Sequence, residues 1–173
     1  SGVTPDLVCV GKALTGGFPL SACIGRAGLM EAAWPPSTGE AIHTSTFLGH
    51  PVGCAMALAQ IAQIRSRALV TRSAELGDHL LSRLQALPRR MGRLVLSARG
   101  IGLMAGLDLR LASGAPAGPE SVAAVKTMLQ RGFILLPEGE HGEVIGFTPP
   151  LTISRAALDR TVRTLSTVLT EVA

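Results

Sequence analysis

The chain has 173 residues, 47% of them hydrophobic and 16% charged, with a formal net charge of +4. No run approaches the ~18 consecutive apolar residues that span a membrane, and no charged segment leads into an apolar signal sequence, so no membrane partner is expected. Fourteen arginines and two lysines are spread along the chain, and with four Phe, one Trp and no Tyr to stack on bases they read as a solvated basic surface, with no nucleic-acid partner.

The first residue is Ser1, not Met, and the chain approaches a strand at once. This predicts the C-terminal part of a longer protein, and the low charge content fits burial against another domain or a second subunit. Pro5 to Val10 and Leu20 to Ile24 are short apolar runs with β-branched residues, predicted as buried strands. Gly28 to Ala33 predicts a short helix, and Pro35 to Gly39 a loop. The hydroxyl-rich turn His43 to Gly49 leads into a helix from Pro51 to Leu69, with Pro51 at its first turn. Val70-Thr71 breaks the pattern before an amphipathic helix from Arg72 to Leu87.

Leu94 to Arg99 and Leu103 to Leu109 predict two strands joined at Gly100-Ile101-Gly102. A Gly/Ala/Pro loop (Ala112 to Pro119) precedes a helix from Glu120 to Arg131. Phe133 to Leu136 and Val144 to Phe147 predict strands flanking a charged turn. Ser154 is placed to cap a terminal helix running to Val172. Alternating helices and strands put the chain in the α/β or α+β class, with α/β the expectation for the whole. Three regions are expected: 1–50 ending a large domain, 51–69 a connecting helix, and 70–173 a small α+β domain.

Cys9, Cys23 and Cys54 lie in apolar contexts and predict buried free thiols in a reducing cytoplasm. The four histidines lack zinc-site spacing, so no metal is expected. Lys12 is the sharpest chemical feature. A lysine ending an apolar strand sits where burial lowers its pKa and frees its amine as a nucleophile; the ordinary alternative is a strand-capping lysine that reaches out to solvent. Thr44-Ser45-Thr46, before a helix, suit a phosphate ester, or merely cap the helix. Arg99-Gly100-Ile101-Gly102 precedes a strand and not a helix, so a tight β-turn is expected in place of a dinucleotide site.

Four segments share an order and spacing with a known family. The run Asp6-Leu7-Val8-Cys9-Val10-Gly11-Lys12, with Gly16-Gly17 and Phe18 to Ala22, resembles the lysine motif of class III pyridoxal-phosphate-dependent aminotransferases (fold type I). Ser45 to Ala55 resembles the segment before that family's interdomain helix. Arg99 to Leu103 resembles its small-domain turn, and Thr148 to Ile153 its near-terminal proline motif.

The resemblance implies the end of the large cofactor domain followed by the small domain. It implies pyridoxal 5'-phosphate as cofactor, joined to Lys12 as a Schiff base. The freed Lys12 would then serve as proton shuttle. Ser45 and Thr46 would bind the cofactor phosphate across a homodimer interface, so that the two active sites are shared. Gly16 and Gly17 would allow close backbone approach. Small-molecule amines and keto acids are the implied substrates. The glycine-rich phosphate loop, the stacking aromatic and the aspartate on the pyridine nitrogen would come from an N-terminal half.

Two positions depart from the family. Gly146 stands where many members carry the arginine that clamps a substrate carboxylate, a contact worth about 1.5–3 kcal/mol. This points to an ω-amine or a donor held differently. His50 replaces a common asparagine and reads as a helix-start residue. Alternatives on the same fold are an aminomutase or a decarboxylase using the same lysine, or a truncated, non-catalytic member that keeps only the dimer surface.

Overall fold

Two short apolar runs, β1 (Leu7–Val10) and β2 (Ala22–Gly25), pair as an antiparallel ribbon. The computed structural model describes residues 2–40 and 43–173. The ribbon lies in the first of two units, Ser1–Arg67; the second is Ala68–Ala173. A turn of 3-10 helix (Lys12–Leu14) leaves β1, and the helices α1 (Ala27–Ala33) and α2 (Pro51–Ser66) follow. Pro51 sits in the first turn of α2 as expected, where its missing N–H is not needed. Gly53 lets Phe18 and Leu20 lie against that turn, since a Cβ there would stand 3.2 Å from the Phe18 ring.

The second unit is a layer of helices on a sheet. Strands β3 (Arg90–Met91), β4 (Leu94–Ile101), β5 (Met104–Leu111), β6 (Leu136–Glu138) and β7 (Val144–Phe147) form an antiparallel sheet in the order β3-β4-β5-β7-β6. Alternation by two puts Leu94 and Leu96, Leu107 and Leu109, and Ile145 and Phe147 on one face. There they meet Leu80 and Leu84 of α3 (Leu69–Gln85), Met128 of α4 (Gly118–Gln130), and Leu165 and Leu169 of α5 (Arg155–Val172) in a single core. Ser154 caps α5 as predicted, its hydroxyl accepting from the Ala157 amide at 3.2 Å. Arg72 of α3 donates to the carbonyls of Leu151 and Ile153 at 3.2 and 2.6 Å, tying the helix to the segment before α5.

Several expectations need correction. β1 and β2 are exposed along most of their length, not buried, and Cys9, Cys23 and Cys54 are all exposed. A ribbon of only two strands presents faces that no third strand covers among the described residues. Helix α2 stops at Ser66, short of Leu69: Ala68 turns left-handed (φ 47°), and α3 begins one residue later. The break therefore precedes Val70-Thr71. The strand expected over Phe133 to Leu136 begins only at Leu136. The Phe133 amide bonds back to the Met128 carbonyl at 2.9 Å, closing α4, so this residue is spent on the helix end. The two-residue strand β3 has no signal long enough to be read from sequence.

Candidate active site

Lys12 is held by its backbone. The Leu14 amide donates to the Gly11 carbonyl at 2.6 Å, closing a tight turn directly after β1. Thr15 is buried, and its hydroxyl donates to the Phe18 carbonyl, bracing the next turn. Within that turn Gly16 and Gly17 take φ of 71° and 142°, which disfavour any side chain. Space beside Gly17 is open, with no atom within 4 Å of where a Cβ would stand. The Lys12 side chain is exposed, where burial had been expected, and it enters no ion pair among the described residues. Its side chain is therefore open to solvent, with no partner among the described residues holding it in place.

Ser45 and Thr46 lie on the second turn that feeds α2. The Leu48 amide bonds the Ser45 carbonyl at 3.1 Å, and the His50 amide bonds Phe47 at 3.2 Å. Both residues are exposed and sit before the N-terminus of α2, whose first amides have no partner within the helix. His50 stands at the N-cap position without a side-chain cap bond. Its ring packs 5.1 Å from Phe18 and 6.2 Å from Phe47, and its buried Nδ1 has no partner. That agrees with a helix-start residue, although the aromatic packing around it was not legible in the sequence. An exposed lysine on a glycine-flanked turn and, apart from it, two exposed hydroxyls on a helix-start turn are residue types that suit the aldehyde and the phosphate of pyridoxal 5'-phosphate.

In the second unit, Gly146 is buried on β7 between Gly106 of β5 and Leu136 of β6. The Glu138 carboxylate folds over it, with Oε1 2.6 Å from where a Gly146 Cβ would stand. The position thus lacks a cation and also has an anion as its neighbour, a feature that no sequence spacing signals. Gly146 and Pro149-Pro150 border a groove of about 470 Å³, lined mostly by apolar residues such as Phe133 and Phe147, with Arg160 at its wall. A tight turn does stand here, but later than Arg99-Gly100-Ile101, which end β4: Ile101 pairs with Met104, and the turn is Gly102-Leu103, with Gly102 at φ 53°. Among the described residues no cluster of His, Cys, Asp or Glu could hold a metal ion, and no helix is long and apolar enough to cross a membrane.

Comparison with known proteins gives this geometry its context. A 2-aminoadipate transaminase of Pseudomonas putida is 32% identical over 98% of this chain and 40% of its own length. A 4-aminobutyrate aminotransferase of Mycobacterium leprae is 37% identical over 97% of this chain and 36% of its own. A solved phospholyase from Arthrobacter, in complex with phosphoethanolamine, superposes with a TM-score of 0.87 at 29% identity, covering 97% of this chain and 39% of that one. The chain thus spans about 40% of the length of the relatives it matches. The sequence model described as Aminotransferase class-III matches residues 1–169, and the chain belongs to the class III aminotransferase family.

Proposed function

We propose that this chain carries the lysine-bearing part of a pyridoxal-phosphate-dependent aminotransferase, and that Lys12 is its catalytic residue. The observation that carries this reading is Lys12, exposed on a braced, glycine-flanked turn at the end of β1, in a chain of this family. When bound, pyridoxal 5'-phosphate supplies an electron sink for charge developing at the substrate carbon. Lys12 would hold the cofactor through Nζ, and the same nitrogen would serve as the acid–base group that moves a proton at the substrate carbon. The hydroxyls of Ser45 and Thr46 donate to the cofactor phosphate, helped by the α2 N-terminus. In this reading they serve the partner's site in a homodimer.

The first unit then completes a large cofactor domain, α2 is the connecting helix, and residues 70–173 form the small domain. The substrates are a small amine and a keto acid, and the enzyme is cytoplasmic. Gly146 beneath the Glu138 carboxylate supports a donor that does not offer a carboxylate at that position, such as a simple or ω-amine.

The test is an absorbance spectrum of the full-length protein with pyridoxal 5'-phosphate, for wild type and Lys12→Ala, before and after borohydride. Wild type is expected to keep the cofactor covalently after reduction, and the variant to lose it and fall at least ~10²–10⁴-fold in turnover. Cofactor fixed equally in the variant would move the role to another amine. No fixation in wild type would leave the non-catalytic reading standing.

A further inference from the structure

At the start of α2 the His50 ring is bracketed by two phenyl rings. Its centroid stands 5.1 Å from that of Phe18, tilted by 36°, and 6.2 Å from that of Phe47, tilted by 45°. Both separations fall in the range of aromatic pairs, about 4.5–7 Å. Nδ1 is buried and has no hydrogen-bond partner among the described residues, and the residue stands at the N-cap without a side-chain cap bond. Packing, and not a hydrogen bond, therefore holds the ring. Further chain or a second subunit can cover these atoms more but cannot uncover them, so the bracket does not depend on what surrounds the first unit.

Phe18 and Phe47 belong to different turns. Phe18 follows Gly16-Gly17 in the segment after Lys12, and its carbonyl accepts from the buried Thr15 hydroxyl. A Cβ at Gly53 would stand 3.2 Å from the Phe18 ring, so the first turn of α2 lies directly against it. Phe18 is thus fixed from two sides. Phe47 directly follows Ser45-Thr46, on a turn that closes on itself. The Leu48 amide donates to the Ser45 carbonyl at 3.1 Å and the His50 amide to Phe47 at 3.2 Å, with Gly49 left-handed at φ 65°. No backbone hydrogen bond among the described residues ties residues 45–49 to another element. The His50 ring supplies an aromatic path from this turn to a fixed point.

We propose that His50 is a positioning residue, whose ring braces the Ser45–Thr46 turn on Phe18 and so sets where those two hydroxyls stand for the cofactor phosphate. The inference rests on the reading of Ser45 and Thr46 as phosphate donors, and adds the residue that holds them. A group that swings freely loses affinity to the entropy of ordering it on binding, and a turn already ordered by the fold avoids that loss. Because the brace is packing, the ring is essential and its nitrogens are dispensable. Because pyridoxal lacks the phosphate, the brace matters only to the phosphorylated cofactor. On the same reading Lys12 serves one site of a homodimer and the Ser45–Thr46 turn the other, so the ring joins the two sites through Phe18.

The test titrates full-length apoprotein with pyridoxal 5'-phosphate and, separately, with pyridoxal, and reads both Kd values by absorbance. His50→Ala is expected to raise Kd for the phosphorylated cofactor about tenfold, the order of two lost aromatic contacts, and to leave pyridoxal within about twofold. His50→Leu keeps an apolar side chain in place for a fold that does not accept alanine, and should show the same phosphate-specific loss. His50→Phe keeps a ring, loses both nitrogens and should restore the wild-type Kd. Weakening of both ligands alike by the Ala and Leu variants makes the role structural and overturns the proposal. No weakening at all overturns it too, as does a Phe variant as weak as Ala, which gives the role to a nitrogen. The double variant Ser45→Ala, Thr46→Ala tests the underlying reading and should lose affinity for the phosphorylated cofactor alone. If it loses none, the phosphate reading falls and the brace with it, whereas Lys12 is judged separately by borohydride fixation.

Discussion

At Gly146 the charge of one neighbour governs what the position can accept. Its neighbour Glu138 is exposed and pairs with no cation among the described residues. Two like charges about 4 Å apart in water repel by ~1 kcal/mol, or about fivefold in an equilibrium. On the proposed reading, Glu138→Gln should raise kcat/KM for a carboxylate-bearing donor relative to an uncharged amine of equal length by about that factor. A ratio unchanged by the substitution would remove Glu138 from donor selection. Glu143 is a second informative carboxylate. Its own backbone amide and that of His141, which donates at 2.9 Å, hold its pKa below the ordinary 4.5. A depressed carboxylate stabilises the fold fully above its unfolded value, and that contribution fades as pH falls from there toward the folded value. The gap in unfolding midpoint between wild type and Glu143→Gln should therefore be widest above pH 4.5 and shrink on acidification. A gap independent of pH would show that the carboxylate charge is irrelevant.

Among the elements, α3 illustrates how backbone contact sets sequence. A Cβ at Gly77 would stand 2.2 Å from the carbonyl of Gly102 in the β4–β5 hairpin turn. The Ser73 hydroxyl accepts from the Leu103 amide at 3.1 Å, one helical turn before. Helix and hairpin are packed backbone to backbone there. Gly77→Ala should lower stability by about 1–3 kcal/mol through overpacking, although alanine is the better helix former. A calorimetric melt unchanged or raised by the substitution would contradict the close contact. At the start of α5, Ser154→Ala should cost about 1 kcal/mol, the value of a lost N-cap bond. The Ser154 cap, the Pro51 start and the alternation of β4, β5 and β7 were legible because each is a local signal of one or two residues. The end of α2 was not, since the left-handed Ala68 carries no glycine or asparagine to announce it. Nor was β6, because the Phe133 amide closes the end of α4 on the Met128 carbonyl in place of joining a strand, and no residue type announces that helix-end bond.

For the molecule as a whole, the four motifs that identified the family were legible because they depend on residue identity at fixed spacing. Burial was misread in the first unit because apolar composition says that a strand will be covered, not by what. Leu7, Val8 and Ile24 of the ribbon and Val52, Leu58 and Ile61 of α2 are exposed, and Ala57 is the only buried hydrophobic side chain in the first unit among the described residues. The main core, from Leu76 to Leu169, lies entirely in the second unit. Protection against amide exchange follows cooperative burial, so the two units of this 173-residue chain should differ sharply. In hydrogen-exchange mass spectrometry of the isolated chain, peptides from β4, β5, β7 and α5 should exchange only through global opening of their unit. Peptides from β1, β2 and α2 should exchange early, despite full backbone pairing in the helix, because few buried contacts oppose local opening. Adding denaturant should then erase the protection of the second unit in one step while leaving the first nearly unchanged. Equal protection of β1 and β5 in the isolated chain would show that the first unit holds a core of its own, and the division of stability between the units would be wrong.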